Sequence, residues 1–245
     1  MSAYKEALRR FAHGALDPVV RALRALGLTA DHVTVLGFLL SLAAGLQFAM
    51  GNFRIAATLA LSSGVCDILD GQIARSSGRT SLFGAFFDST LDRVADAVLF
   101  VGIACYYTAQ LVDMAVNPNR VLANLQHGLE PVTFAAIAVL AMLALVGSFM
   151  VSYTRARAEG LGLDCKVGWF ERPERMVLLI IAGYAGLGPV MPAMLLVLVV
   201  FSYATAIQRM AHVWKRTRGA GGDAVPHEAG GDRAPRSAGG DSPEV

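Results

Sequence analysis

The stretch DILDGQIARSSGRTSLFGAFFDSTLD, residues 67–92, places four aspartates in a chain that is otherwise strongly apolar. Asp67 and Asp70 are three residues apart, so on a helix they share one face. Asp88 and Asp92 are four residues apart, one turn along a second helix. Three glycines between the two pairs allow a turn and a close approach of the backbones. An antiparallel helix pair would therefore bring all four carboxylates together at the cytoplasmic membrane surface.

The composition around this stretch is that of a membrane protein. Of 245 residues, 55% are hydrophobic and 16% are charged, whereas soluble domains carry about 25% charged residues. Stretches of about 17–25 mostly apolar residues can cross a bilayer as helices. We therefore predict an all-α integral membrane protein with six transmembrane helices, of which the fifth is short and contains glycine. The predicted spans are 33–50, 53–73, 83–107, 132–153, 176–187 and 190–211.

The two ends of the chain differ from this membrane domain, which we place at residues 31–216. Residues 1–30 are charged throughout and lack the early apolar core of a cleavable signal peptide. Their apolar residues fall near helical spacing with Lys and Arg between them, which predicts an amphipathic helix in the headgroup layer. An ordinary cytoplasmic helix packed on the bundle is the alternative. Residues 217–245 repeat GGD among Ala, Pro and Arg, a composition that predicts a disordered tail.

The charges between the spans predict the orientation. Most Lys and Arg fall in the N-terminal arm, the turn at 75–79, the loop at 155–175 and the C-terminal flank. By the positive-inside rule these segments face the cytoplasm, so both termini are cytoplasmic and the number of spans is even. Three scattered cysteines give no disulfide framework.

Four carboxylates at close range repel one another, and charge at membrane depth is costly. A divalent cation offsets both costs, and hard oxygen ligands favour Mg²⁺, Mn²⁺ or Ca²⁺ over zinc. Such a site also indicates a phosphate-bearing ligand, because Mg²⁺ commonly completes its shell with phosphate oxygens. The alternative is that single aspartates cap helices or pair with Arg75, Arg79 or Arg93. Asp96 continues the acidic stripe one turn further, where it either supports the site or forms a buried ion pair.

The full pattern reads D-x2-D-G-x2-A-R-x8-G-x3-D-x3-D and resembles the signature of the CDP-alcohol phosphotransferase family. That resemblance implies a six-helix membrane fold, usually homodimeric, in which an alcohol displaces CMP from a CDP-linked lipid. It implies that Asp67, Asp70 and Asp88 hold a pair of Mg²⁺ or Mn²⁺ ions at the pyrophosphate. Asp92 becomes the general base with a further contact to a metal. The residues implied for the CDP-lipid are Thr34, Gly71, Ala74, Arg75 and Gly84.

The segment SYTRARAEGLGLDCKVGWFERPERMVLL, residues 152–179, bears on the acceptor alcohol. Arg155 and Arg175 could bind a phosphate dianion through charge-assisted hydrogen bonds, which an already phosphorylated acceptor would need. An ordinary positive-inside loop is the alternative. The segment resembles the phosphatidylinositol-phosphate synthase branch of the family, although that branch commonly has Lys at the position of Arg155. The resemblance implies that Ser152, Arg155, Arg175 and Arg209 bind the phosphate of inositol 1-phosphate.

These patterns together predict an enzyme of the cytoplasmic membrane whose active site faces the cytoplasm. It would transfer the phosphatidyl group of CDP-diacylglycerol to inositol 1-phosphate and release CMP, as a homodimer that binds no nucleic acid. One alternative keeps this chemistry with glycerol 3-phosphate as acceptor or a dialkyl CDP-lipid as donor. A more distant alternative is a cation transporter with aspartate-lined sites, since acids within membranes often mark ion paths.

Overall fold

The computed structural model describes residues 17–77, 81–117 and 130–219, together with 119 and 121, and within them every regular element longer than one residue is a helix. Six helices correspond in order to the six predicted spans, and a short helix precedes them. The helices are α1 (17–25), α2 (Ala30–Ala49), α3 (Phe53–Ser77), α4 (Leu82–Val116), α5 (Pro131–Gly160), α6 (Arg172–Ala185) and α7 (Val190–Gly219).

Local capping fixes where the functionally important helices begin. Ser81 precedes α4, and its hydroxyl accepts a hydrogen bond from the backbone N–H of Gly84 at 2.9 Å. Glu171 precedes α6 in a reciprocal capping box, in which its backbone N–H donates to the carboxylate of Glu174 at 3.1 Å. Pro173 lies in the first turn of α6, where its missing N–H costs nothing. These caps fix the residues at which α4 and α6 begin.

The helices α2 to α7 form a closed ring. Helix α2 packs against α3 and α4, α4 against α5, α5 against α7, α7 against α6, and α6 returns to α3. Gly45 on α2 and Gly102 on α4 lie backbone to backbone, because a Cβ at Gly102 would meet the carbonyl group and Cα of Gly45. Small residues at this crossing allow the close approach. The ring leaves the acidic residues of α3 and α4 facing α6.

Four of the helices, α2, α4, α5 and α7, are long and apolar enough to cross a membrane. Large apolar side chains on their outer surfaces are exposed, among them Leu36, Leu39 and Leu46. Helix α6 has 14 residues, which makes it about 21 Å long at ~1.5 Å per residue, shorter than a hydrocarbon core of about 30 Å. Helix α3 carries Arg54 at its start and Asp67, Asp70 and Arg75 in its second half. The chain is thus a helical membrane protein, and the count of six spans stays a prediction.

Helix α1 packs on the bundle. Val20 is buried and joins Val33 of α2 and Leu69 and Ile73 of α3 in a small apolar cluster. The guanidinium of Arg24 donates to Ser76 Oγ at 3.4 Å. Part of the region expected to lie in the headgroup layer is therefore in contact with the protein. The remainder of the N-terminal prediction, residues 1–16, and the tail prediction beyond 219 lie outside the described residues.

Candidate active site

The predicted acidic residues lie at one end of α3 and α4. Asp70 is buried and accepts a hydrogen bond from the hydroxyl of Thr34 on α2 at 2.6 Å. Asp67, Asp88 and Asp92 are half-buried, and Asp67 lies close enough to both of the others to interact with them electrostatically. The structure therefore brings together Thr34 and the aspartates of both helices.

Arg172, the first residue of α6, lies among these carboxylates. Its Nη1 donates to Asp67 and lies 3.0 Å from Asp92 Oδ1, while its Nε lies 3.3 Å from Asp96 Oδ1. Burial by itself lowers the pKa of Arg172, but the three carboxylates outweigh it and raise this pKa above its ordinary value. No sequence pattern predicted a role for Arg172. The available signal was its position in ERPER, one helical turn before Arg175.

Asp96 connects three helices. It is 5% exposed and accepts hydrogen bonds from Ser148 Oγ on α5 at 2.8 Å and from Arg175 Nη2 on α6 at 2.9 Å. With its contact to Arg172, each carboxylate oxygen has at least one donor. Asp96 thus forms a buried ion pair with Arg175, which was one of its two expected roles. This pair anchors Arg175, which the sequence assigns to the acceptor site.

A cavity of about 230 Å³ opens beside the aspartates. Two side chains, Asp92 and Arg172, line both this cavity and a smaller pocket that reaches Asp67 and Thr34. We call the larger space the arginine cavity, because its charged lining consists of five arginines and three carboxylates. They are Arg93, Arg155, Arg172, Arg175 and Arg209, with Asp92, Asp96 and Glu171.

Arg175 is one of two buried cations of the arginine cavity. It is 3% exposed, and within the described residues its Nε and Nη1 have no hydrogen-bond partner. A buried guanidinium normally satisfies its donors, since an unmade hydrogen bond costs about 1–3 kcal/mol or more for a charged group. Arg175 lines the cavity, so a guanidinium with unpaired N–H groups beside this space is suited to an anionic ligand.

The other residues assigned to the acceptor also line this cavity. Arg209 is 2% exposed and is held by the carbonyl oxygens of Val151 and Val167, at 2.5 and 2.8 Å. Arg155 lies on the rim, where it pairs with Glu159 at 2.9 Å, and Ser152 is on the lining. The structure thus collects all four predicted acceptor residues around one space.

The residues assigned to the CDP-lipid are less concentrated. A Cβ on Gly71 would lie 3.4 Å from Nη1 of Arg75, so these two are neighbours on α3. Arg75 itself is exposed, and Ala74 is half-buried. Gly84 lies in the first turn of α4 through its bond to Ser81. Thr34 donates its hydroxyl to Asp70 in the acidic cluster, and the backbone of Gly71 also hydrogen-bonds that carboxylate.

Comparison with known proteins identifies the family. The family model for CDP-alcohol phosphatidyltransferases matches residues 27–208. The chain belongs to the CDP-alcohol phosphatidyltransferase family. It is therefore a phosphotransferase enzyme of phospholipid biosynthesis that carries out CDP-alcohol phosphatidyl transfer, and the resemblance of the aspartate pattern is confirmed.

Similar proteins include an archaeal enzyme and a bacterial one of known structure. The archaetidylinositol phosphate synthase of Methanothermobacter thermautotrophicus is 36% identical over 222 residues, which cover 89% of this chain and 96% of that protein. The crystal structure of Mycobacterium tuberculosis phosphatidylinositol phosphate synthase with CDP-DAG bound matches with a TM-score of 0.66 and 30% identity, over 80% of this chain and 92% of that one. The same enzyme in complex with manganese and citrate matches with a TM-score of 0.66 and 31% identity, over 80% and 88%.

The aspartates of this phosphatidyltransferase have the chemistry of a site for a hard divalent cation. Four carboxylates supply the oxygen donors that Mg²⁺ and Mn²⁺ favour. In the part of the chain that the structure describes, no group of three acidic, histidine or cysteine side chains is arranged to hold a metal ion. Instead, the guanidinium of Arg172 bridges Asp67 and Asp92. The donors therefore fit such a metal by chemical type, and Arg172 lies where a cation shared by Asp67 and Asp92 would bind.

Proposed function

We propose that this phosphatidyltransferase transfers the phosphatidyl group of CDP-diacylglycerol to inositol 1-phosphate, releasing CMP and forming phosphatidylinositol phosphate. The observation that carries the proposal is the arginine cavity, which is lined by the buried Arg175, whose Nε and Nη1 have no hydrogen-bond partner in the described residues. The cavity adjoins the acidic cluster through Asp92. The proposed site for the CDP-lipid and the proposed anion site therefore meet at Asp92.

The charge of the arginine cavity favours a phosphorylated acceptor over a neutral polyol. A phosphate dianion accepts several charge-assisted hydrogen bonds, and a planar guanidinium binds it in bidentate fashion. Arg175 and Arg209 are buried and held in place, so little side-chain entropy is lost when they bind. Arg155 and Ser152 on the cavity wall would complete the phosphate site. Free inositol is uncharged, so it would not compensate the positive charge of these buried arginines.

The reaction requires that the acceptor hydroxyl lose a proton while its oxygen attacks phosphorus. In the proposed reaction Asp92 accepts this proton, the new oxygen–phosphorus bond forms, and the bond to CMP breaks with its electron pair leaving on CMP. A positioned base typically contributes about 10²–10⁴-fold to the rate. Asp92 suits this role because it lines both the arginine cavity and the pocket beside Asp67.

The donor half of the site is assigned from the acidic cluster. Asp67, Asp70 and Asp88, with a further contact from Asp92, would hold Mg²⁺ or Mn²⁺, expected as two ions. Bound there, a divalent cation neutralises the pyrophosphate and stabilises the departing phosphate oxygen. The manganese complex of the M. tuberculosis relative supports a metal of this kind. The CDP-lipid would lie along Thr34, Gly71, Ala74, Arg75 and Gly84, which surround the same end of α3 and α4.

The proposed setting is the cytoplasmic membrane. Six spans with both termini and the active site on the cytoplasmic side are supported by four apolar helices and by the distribution of Lys and Arg along the chain. In this arrangement 31–216 form the membrane domain, with 1–30 as a juxtamembrane segment and 217–245 as a tail. A homodimer is proposed from the family resemblance.

A second candidate keeps the acceptor and changes the lipid. The names of the two relatives share inositol phosphate, but one names an archaetidyl product and the other a phosphatidyl product. A dialkyl CDP-lipid is therefore the alternative donor. Glycerol 3-phosphate is the alternative acceptor, because the same cavity charges would attract it. The cation-transporter alternative has no support, since the chain belongs to a transferase family.

An acceptor panel with the purified enzyme tests the proposal. CMP release is measured with CDP-diacylglycerol and Mg²⁺ or Mn²⁺, with inositol 1-phosphate, glycerol 3-phosphate and free inositol each supplied as acceptor. We expect turnover with inositol 1-phosphate and little with free inositol. Turnover with glycerol 3-phosphate and none with inositol 1-phosphate would reject the proposed acceptor while leaving phosphatidyl transfer intact. A parallel series with a dialkyl CDP-lipid distinguishes the two donors.

A further inference from the structure

Arg172 is in contact with both halves of the site. Its Nη1 bridges Asp67 and Asp92, while its Nε lies 3.3 Å from Asp96. The same side chain lines the arginine cavity, and Asp96 also binds Arg175 there. One guanidinium therefore offsets part of the charge of the acidic cluster and borders the anion site.

A cation shared by Asp67 and Asp92 would occupy the space where Nη1 now lies. Oxygen ligands of Mg²⁺ lie at about 2.0–2.1 Å from the ion, so a metal bound to both carboxylates leaves no room for the guanidinium between them. Like charges at this separation also repel strongly where water is scarce. Arg172 and a divalent cation therefore compete for the same two carboxylates.

The carboxylates around Arg172 lie on different spaces: Asp96 lines the arginine cavity, whereas Asp67 lines the smaller pocket. A side chain that kept its Nε contact with Asp96 and gave up Asp67 would therefore move toward the cavity. Ser148 and Arg175 hold Asp96 from two other helices, which makes it a fixed pivot. A bound tetrahedral anion would give the displaced guanidinium new acceptors.

We propose that Arg172 is a positioning residue that couples the two half-sites. A divalent cation displaces it from Asp67 and Asp92 and thereby adds a cation to the arginine cavity, so that metal binding strengthens anion binding. This inference rests on the metal and anion sites of the proposed function. Coupling between two binding sites is reciprocal, so the anion also strengthens metal binding by the same factor.

Metal binding to the purified full-length enzyme tests the competition directly. Mn²⁺ binding is followed by the loss of the free-ion EPR signal in wild type, Arg172→Gln, Arg172→Lys and Arg157→Gln. Arg157 is an exposed residue of α5 outside the arginine cavity and supplies a matched Arg-to-Gln control. We expect Arg172→Gln to bind Mn²⁺ at least about fivefold more tightly, the lower end of ordinary coupling between sites. Arg172→Lys keeps the positive charge, so its Mn²⁺ affinity should lie closer to that of wild type. The Mn²⁺ affinity of Arg157→Gln should equal that of wild type.

Sulfate binding, measured by calorimetry, tests whether metal binding strengthens anion binding. Sulfate is a tetrahedral dianion that does not precipitate with Mn²⁺. In wild type, Mn²⁺ should raise sulfate affinity, and in Arg172→Gln this gain should shrink. Unfolding temperature serves as a further measure, since Mn²⁺ should stabilise Arg172→Gln more than wild type. Arg172→Gln that binds Mn²⁺ no more tightly than wild type, or that keeps the full gain in sulfate affinity, would overturn the proposed coupling role of Arg172. Either result would leave the proposed metal site standing. Wild-type protein that binds no Mn²⁺ would overturn the proposed metal site as well.

Discussion

Replacing Asp96 with asparagine removes the charge that holds Arg175 in the bundle. Asp96 is 5% exposed and Arg175 is 3% exposed, and their contact is 2.9 Å long. Removing one partner of a buried ion pair costs about 3–5 kcal/mol, because the other charge is left without compensation. The amide keeps an acceptor oxygen of the same shape, and Arg172 keeps its other two carboxylates. We therefore expect the lower end of that range, about 3 kcal/mol.

The loss is measurable as a thermal shift. At roughly 2–4 °C per kcal/mol for a protein of this size, Asp96→Asn should lower the apparent unfolding temperature by about 6–12 °C. A thiol-reactive dye reports the transition, since Cys66 and Cys165 are buried and react on unfolding, while the exposed Cys105 sets the baseline. The same variant should also raise KM for the acceptor, because Arg175 loses its anchor.

Asp164→Asn is the matched control for this experiment. Asp164 pairs with Lys166 at 3.2 Å, and both side chains are largely exposed. An exposed pair of this kind contributes about 0–1 kcal/mol, so its loss should leave the unfolding temperature nearly unchanged. If Asp96→Asn lowers the unfolding temperature no more than Asp164→Asn does, then the buried pair of Asp96 and Arg175 does not hold Arg175 in place.

Three further predictions concern the base, the anion site and the crossing of α2 and α4. Asp92→Asn should lower the rate of transfer by about 10²–10⁴-fold while CDP-lipid binding persists, and near-normal CMP release would reject Asp92 as the base. Arg175→Ala should chiefly raise the acceptor KM in steady-state assays, and an effect confined to CDP-lipid affinity would move Arg175 out of the acceptor site. Gly102→Ala forces a methyl group against the backbone of Gly45 and should destabilise the protein by about 1–3 kcal/mol. Gly64→Ala, where a Cβ meets nothing within 4 Å, is its control in thermal unfolding, and equal shifts would contradict the close crossing.

Hydropathy predicted where the helices lie along the chain better than where they end. The third predicted span stopped at residue 107, whereas α4 runs to Val116, and the fourth stopped at 153, whereas α5 runs to Gly160. An apolar window marks only the part of a helix suited to lipid, and polar residues continue the same backbone hydrogen bonds beyond it. Helix α6 begins four residues before its predicted start because the capping box at Glu171 extends it.

The acidic cluster followed from spacing within two neighbouring helices, which local sequence can express. The contact of Arg172 with Asp67 joins residues 105 positions apart, and it depends on α6 lying next to α3 in the helix ring. Neither residue periodicity nor loop charge specifies that adjacency. A positive charge in ERPER was visible, but which carboxylates it would meet was decided by tertiary packing.

The pairing of Arg172 with α3 also bears on how the protein is made. During synthesis α3 and α4 are made before residue 172, so Asp67 then lacks the cation that later pairs with it. A nascent chain that ends before α6 therefore carries Asp67 and Asp92 without the guanidinium that lies between them in the folded protein. The acidic cluster therefore gains this cation only after α6 has packed against α3. Assembly of the active centre is in this sense a late event in biogenesis.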